Sequence, residues 1–219
     1  MTPLVRLTRH GTSLSPSTVE LEQAAARFES EYVLRLPALV DAELLSFVQN
    51  QIEIDGFTEY AHYRLKSHPV DLGLNQGRAS ALLLLVANDP PFLDFMRALT
   101  RQSRIRSFMG AVHRRIPGAG HEDAWHNDAV DGRLVALSVN LSREPYAGGV
   151  LQIRDEHEGR IVYELANTGP GDAVLFKIDR RLKHRVTPPE GRAPRTAFAG
   201  WFLADPARHV LGLAPVSAI

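Results

Sequence analysis

Beyond Arg104 the chain breaks into short β-like runs separated by turn signals, and this limits its fold more than any other feature. The runs lie at 105–116, 134–141, 150–154, 161–165, 173–178 and 196–203. Between them stand Pro117-Gly118-Ala119-Gly120, a break at 145–149, Glu158-Gly159, Gly169-Pro170-Gly171 and a break at 188–191. Several short strands at this spacing specify a β-sandwich or barrel. The first half reads differently. Residues 18–28 have a helical pattern with Ser17 or Thr18 at the cap, and 31–36 alternate as a short strand. Asp41 caps a helix whose apolar face carries Leu44, Leu45 and Val48, and 90–99 form another helix behind Asn88 or Asp89 with proline in its first turn. Residues 57–77 have no clear period and read as a long loop, a candidate lid or substrate loop. Residues 1–16, rich in Thr, Ser and Pro, read as a poorly ordered arm or an edge segment.

The expectation is therefore an α+β chain in one domain, 1–219, with mostly helical support at 17–104 packed outside a β core at 105–204. Composition removes several function classes. There is no cysteine, so disulfides, zinc–thiolate sites and iron–sulfur clusters are excluded, and any metal must sit on His and carboxylate ligands. Basic and acidic residues balance at 25 each, giving no general attraction to nucleic acid. The longest apolar run, 81–87, is far too short to span a bilayer, and no signal-peptide pattern follows Arg6 and Arg9. A soluble, cytoplasmic protein is the default expectation.

The chemistry concentrates in Trp125-His126-Asn127-Asp128. Residues two apart on an extended chain point the same way, so His126 and Asp128 can share one metal. His184, expected just after the strand led in by Gly171-Asp172, supplies a third ligand. Two His and one carboxylate on one face of an octahedron leave three positions open, as a non-haem Fe(II) oxygenase requires. Arg195 opens an otherwise apolar run, and its planar fork suits the distal carboxylate of 2-oxoglutarate; it is expected beside His184 on the adjoining strand.

These features resemble the Fe(II)/2-oxoglutarate-dependent oxygenases, most of all their prolyl-4-hydroxylase-like branch. The resemblance is carried, in the family's order, by Pro117-Gly118, His126-Asn127-Asp128, 146–151, 171–176, His184-Arg185-Val186 and Arg195 leading to Trp201-Phe202. It covers roughly 90 residues, and the joint pattern is specific where HxD alone is weak. It implies a double-stranded β-helix (jelly-roll, cupin-like) core. It also implies Fe(II), 2-oxoglutarate and O₂ as cofactor and cosubstrates, ascorbate as reductant in vitro, and release of succinate and CO₂. By the same resemblance Asn140 and Arg115 are candidate cosubstrate contacts, although Arg115 stands where such members commonly have Tyr. Trp201 matches an aromatic position near the metal. Asp128 favours hydroxylation over halogenation, because halogenating members lack the metal carboxylate.

A second HxD, His121-Glu122-Asp123, precedes the first by five residues. Trp125 and the short gap to the run at 134 favour His126/Asp128, leaving His121 and Asp123 as surface residues at the mouth of the site. His113 alternates in phase with Arg115 but reads as a histidine satisfied by backbone. The basic runs, among them Arg180/Arg181/Lys183/Arg185, read as solvated faces. The leading function is hydroxylation of a C–H bond on a small molecule, amino acid or peptide side chain. Two alternatives stay open. One is a nucleic-acid or N-alkyl demethylase of the same superfamily, disfavoured by zero net charge and testable by salt-dependent DNA binding. The other is a non-catalytic metal-binding jelly-roll, which has no use for a keto-acid clamp such as Arg195.

Overall fold

In the computed structural model, the residues described are 3–60, 71–74, 77–121, 123–129, 132–166 and 168–205. The N-terminal segment is not a loose arm but a hairpin of β1 (Val5–Thr8) and β2 (Gly11–Leu14). Val5 and Leu7 turn into the core, Leu7 bridges to Val40, and the Thr12 backbone N–H and hydroxyl both donate to Asp89, at 2.8 and 2.6 Å. The surrounding Thr, Ser and Pro masked this two-residue alternation. Helix α1 (Thr18–Glu31) starts at Ser17 through a reciprocal capping box with Glu20 and ends at Tyr32 in the left-handed conformation. β3 (Val33–Leu36) follows, then α2 (Ala42–Asp55), whose first turn is held by the Asp41 carboxylate accepting from the Leu44 N–H at 2.7 Å.

The stretch read as a long loop begins and ends in paired strands, β4 (Thr58–Tyr60) and β5 (Asp71–Leu74); the lid expected between them lies outside the described residues. The apolar run at 81–87 lies in a helix that the sequence reading did not mark, α3 (Arg78–Ala87). It buries Ala79, Leu83 and Val86 at helical spacing. α4 (Pro90–Thr100) completes the helical layer. The strands after it are β6 (Ser107–Arg115), β7 (Arg133–Asn140), β8 (Ala147–Gly148), β9 (Leu151–Asp155), β10 (Ile161–Leu165), β11 (Ala173–Lys177), β12 (Leu182–Val186), β13 (Pro189–Glu190) and β14 (Arg195–Leu203). Among the described residues no single helix is long and apolar enough to cross a membrane.

These strands form a double-stranded β-helix. A seven-stranded antiparallel sheet in the order β3-β11-β7-β14-β6-β5-β4 faces a three-stranded sheet, β10-β9-β12, with β8 paired to β13 beside them. The long strands of the large sheet divide their side chains between two cores because successive residues point to opposite faces. One face meets the helices. Phe108, Phe198 and Phe202 pack there at ring-centroid separations of 4.9 and 5.4 Å, and Phe92 of α4 lies 5.9 Å from Phe202. The other face meets the small sheet through Ala136, Val174 and Phe176 against Leu151, Ile153 and Leu182. β6 and β14 approach so closely at their Gly110–Gly200 pair that a Cβ on Gly200 would stand 2.0 Å from the Met109 carbonyl oxygen. The α+β expectation, with helices outside a jelly-roll, is what the structure shows.

Candidate metal centre

His126, Asp128 and His184 converge at one end of the space between the sheets, with one potential ligand atom from each inside 4.8 Å of the others. His184 lies mid-strand in β12, not at the end of the strand led in by Gly171-Asp172. Asp172 organises the turn before β11, accepting from the Gly169 and Ala38 N–H groups and pairing with Arg35. A two-way backbone bridge joins His126 to His184, with N–H···O distances of 3.1 and 2.9 Å, and sets the rings 4.2 Å apart. Asn127 locks the motif from behind. Its amide donates to the Asp179 and Leu182 carbonyls at 2.7 Å each, and its oxygen accepts from the Ala129 N–H.

Both oxygens of Asp128 are held. Arg133 donates to Oδ1 at 3.1 Å, and the Trp201 indole N–H donates to Oδ2 at 2.7 Å. The Arg133 guanidinium lies 3.6 Å from the centroid of the Trp201 ring, so the two donors brace each other. Burial pushes the Asp128 carboxyl upward, but His184, Trp201 and His126 outweigh it and hold the group down at about 2. Burial likewise pushes the His126 imidazole down. Asp123, with Oδ1 3.2 Å from Nδ1, and the Ala124 carbonyl at 2.8 Å overcome this and raise it to about 9. Because Nδ1 faces these two acceptors, Nε2 is the nitrogen left for a ligand role.

The earlier HxD takes no part in this cluster. His121 is buried, and its Nδ1 accepts from the Ile116 N–H at 3.0 Å. Asp123 is not a surface residue at the mouth: it accepts from the Val186 N–H at 3.0 Å and backs His126.

Arg195 does not neighbour His184 on an adjoining strand. It lies in the opposite sheet, on the inner face of β14 between β6 and β7. Its Nη2 donates to the Ser138 hydroxyl at 3.3 Å and it bonds Tyr146, while its buried Nε has no partner among the described residues. Gly149, with φ 61°, makes room: a Cβ there would stand 2.7 Å from Tyr146 Cε2 and 2.9 Å from Arg195 Cδ. Burial disfavours the charged guanidinium, and its pKa is lowered; arginine nonetheless stays protonated, so the pocket calls for an anion. Ser138 and Tyr146 were missed in the sequence, where no local pattern links them to Arg195.

The two candidate cosubstrate contacts inferred from resemblance are engaged elsewhere. The Asn140 amide donates to the Thr168 carbonyl at 2.6 Å and accepts from the Ser142 N–H at 2.9 Å, tying the end of β7 to the turn before β11. Arg115 is buried on Asp71, with its Nη1 on the Val186 carbonyl at 3.2 Å and Asp123 3.6 Å away. Asp71 and Asp123 outweigh the effect of burial and hold Arg115 above the usual arginine range. His113 shares that inner face, 3.9 Å from Asp71, and Trp201 proves to be a partner of Asp128 rather than packing alone.

Two imidazoles and one carboxylate, with no thiolate, form a donor set that suits Fe(II), and equally Mn(II) or Co(II). Together with the partnerless Nε of Arg195, this arrangement fits a metal and a carboxylate-bearing cosubstrate.

Comparison with known proteins follows the same line. Residues 110–203 match the 2OG-Fe(II) oxygenase superfamily. No curated protein matches the sequence. Among solved structures, a Pseudomonas putida prolyl-4-hydroxylase is 19% identical, with a TM-score of 0.55 over 87% of this chain and 97% of that one. The α-ketoglutarate-dependent epimerase SnoN of nogalamycin biosynthesis is 15% identical, with a TM-score of 0.60 over 93% and 92%. A Trichoplax adhaerens prolyl hydroxylase, solved in complex with a hypoxia-inducible-factor peptide, is 17% identical, with a TM-score of 0.58 over 87% and 94%. Over residues 110–203 the chain is similar to the 2OG-Fe(II) oxygenase superfamily, and in fold it resembles prolyl-4-hydroxylases.

Proposed function

We propose that this chain, acting as one domain, is an Fe(II)- and 2-oxoglutarate-dependent dioxygenase that hydroxylates a C–H bond of a small molecule, an amino acid or a peptide side chain. The observation that carries this reading is the pairing of a His126–Asp128–His184 cluster with a half-buried arginine whose buried Nε has no partner among the described residues. In this reading the three side chains hold Fe(II) and Arg195, with Ser138 and Tyr146, holds the distal carboxylate of 2-oxoglutarate. When bound, the metal would supply a site at which O₂ is the oxidant, two of its four oxidising equivalents being consumed by 2-oxoglutarate going to succinate and CO₂ and two by the substrate C–H bond.

The protein's own contribution is orientation. Trp201 and Arg133 fix the Asp128 carboxylate so that it need not reorganise when a metal arrives, and Asn127 fixes the turn that presents it. Phe176, 4.8 Å from the His184 ring, helps close the inner wall to water. Relatives of this fold include both prolyl hydroxylases and an epimerase, so the outcome depends on which substrate atom is held over the metal. The peptide bound by the Trichoplax enzyme makes a peptide side chain one candidate substrate for this chain too.

The test is succinate formation from 2-oxoglutarate by protein supplied anaerobically with Fe(II) and ascorbate and then exposed to O₂. His126→Ala and Arg195→Ala are expected to abolish it, and His121→Ala, if folded, to retain it. No succinate from the wild type, even with candidate amino acids and peptides added, would sink the proposal in favour of a non-catalytic metal-binding jelly-roll.

A further inference from the structure

Three neighbouring strands carry a row of charges on the inner face of the large sheet. Arg195 of β14 lies directly opposite Arg115 of β6. One position on from the Leu72–Arg114 pair, Asp71 of β5 meets Arg115 from the other side and takes its Nε–H. Two guanidinium groups side by side repel each other, and they share one nearby acid. Asp71 is committed to Arg115, whose side chain is only 9% exposed against 7% for Asp71 itself. Among the described residues Arg195 therefore keeps no acid of its own: its hydrogen bonds go to the Ser138 hydroxyl and to Tyr146.

Arg115 also reaches the strand that carries His184. Its Nη1 donates to the Val186 carbonyl at 3.2 Å, and its Nη2 lies 3.6 Å from Asp123 Oδ2, which accepts from the N–H of the same Val186. The other oxygen of Asp123 lies 3.2 Å from Nδ1 of His126. A continuous chain of contacts thus runs Asp71–Arg115–Asp123–His126 along the wall that also carries Arg195.

We propose that Arg115 and Asp123 are positioning residues with two separable tasks. Asp123, anchored by Arg115, holds the His126 ring so that Nε2 faces the cluster. Arg115, by occupying Asp71, keeps that carboxylate off Arg195 and so leaves Arg195 open to the carboxylate of a ligand. This rests on the metal and cosubstrate reading above, and it gives Arg115 a supporting role in place of direct contact with the cosubstrate.

The two tasks predict different affinities. Outer partners of metal-binding histidines typically contribute about 10–100-fold to metal affinity. Because the Ala124 carbonyl still faces Nδ1 when Asp123 is lost, Asp123→Ala is expected at the low end, about tenfold weaker, with cosubstrate affinity at saturating metal unchanged. Arg115→Met frees Asp71 to pair with Arg195. It should weaken 2-oxoglutarate binding at least tenfold, the cost of about 1.4 kcal/mol of competition, and weaken the metal as well. The double variant Asp71→Asn/Arg115→Met removes the competing anion. It should recover cosubstrate affinity to within about threefold of wild type by that same scale, while the metal stays weak because Asp123 remains unanchored. Asp71→Asn/Arg115→Met also leaves fewer unpaired buried charges, so it serves where Arg115→Met fails to fold.

The experiment is a Co(II) titration followed by visible absorption, then 2-oxoglutarate binding to the Co(II)-loaded proteins by calorimetry, with thermal melting to confirm folding. The expected result is the split just described. Wild-type affinity for both ligands in Asp123→Ala and in the double variant overturns the proposal. Parallel loss of both ligands in the double variant also overturns it, since a merely structural role would give that result. If the wild type takes up no Co(II), the metal-centre reading itself fails and this inference fails with it.

Discussion

The two faces of the large sheet are built from alternate residues of the same strands, yet they behave as different materials. On β14 the helix-facing positions include Phe198 and Phe202, fully packed and apolar. The inner positions are Arg195 and Trp201, each aimed at a polar partner. β6 repeats the division, with Phe108 and Val112 outward and His113 and Arg115 inward. The lesson is a separation of duties by the two-residue period of the strand. The outer face supplies stability, which lets the inner face hold unpaired or strongly coupled charges that cost stability.

Substitutions on the two faces should therefore have opposite signatures. The largest effect is expected from His126→Ala on the inner side. Metal uptake should weaken by more than the roughly 10–100-fold that loss of an outer partner costs, with little change in melting, as titration and calorimetry would show. Next comes Phe198→Ala on the outer face. Emptying a packed aromatic site costs about 3–5 kcal/mol, which for a chain of this size lowers the melting temperature by roughly 6–20 °C. The folded fraction should still bind metal as the wild type does. If Phe198→Ala instead weakened metal binding at full fold, the division between faces would be false.

Arg195→Met sharpens the contrast further. Losing charge-assisted hydrogen bonds worth about 1.5–3 kcal/mol should cut 2-oxoglutarate affinity by roughly 10–100-fold. Melting should hold or rise, because a half-buried cation with no carboxylate partner among the described residues is replaced by an apolar chain. A clear drop in melting temperature would mean that Arg195 is a structural strut. The smallest effect is expected from Trp201→Phe. It removes the indole N–H from Asp128 but leaves Arg133 on the other oxygen, so metal affinity should fall by about tenfold.

Much of this architecture was readable in the chain because its causes are local. Ser17 with Glu20 and Asp41 before Leu44 are caps, and a cap acts within one turn of its own helix. The β-like run at 161–165 matches β10 to the residue. α3 escaped because an apolar run with no side-chain cap carries no start signal, and its Gly77 N-cap offers no side chain to accept a hydrogen bond. The β1–β2 hairpin escaped because only Val5 and Leu7 mark it.

At the site, the spacing of His126 and Asp128 and the isolated charge of Arg195 were visible from the residues alone. Their partners were not. Asp123 was placed at the surface because nothing local in the sequence ties it to the Val186 N–H or to the His126 ring, contacts that only the fold creates.

The sequence by itself determined the strand-rich second half, the helical caps, the exclusion of thiolate chemistry and the residue types that could meet at a metal. These depend on alternation, on capping and on composition, which act over a few residues or over the whole chain at once. Tertiary structure alone decided that Arg195 lies in the sheet opposite the strand that carries His184, that Arg115 is spent on Asp71, and that Trp201 and Arg133 grip Asp128. The physical reason is that a strand's period says which residues share a face, while sheet order and register, settled by packing across the whole barrel, say what that face meets.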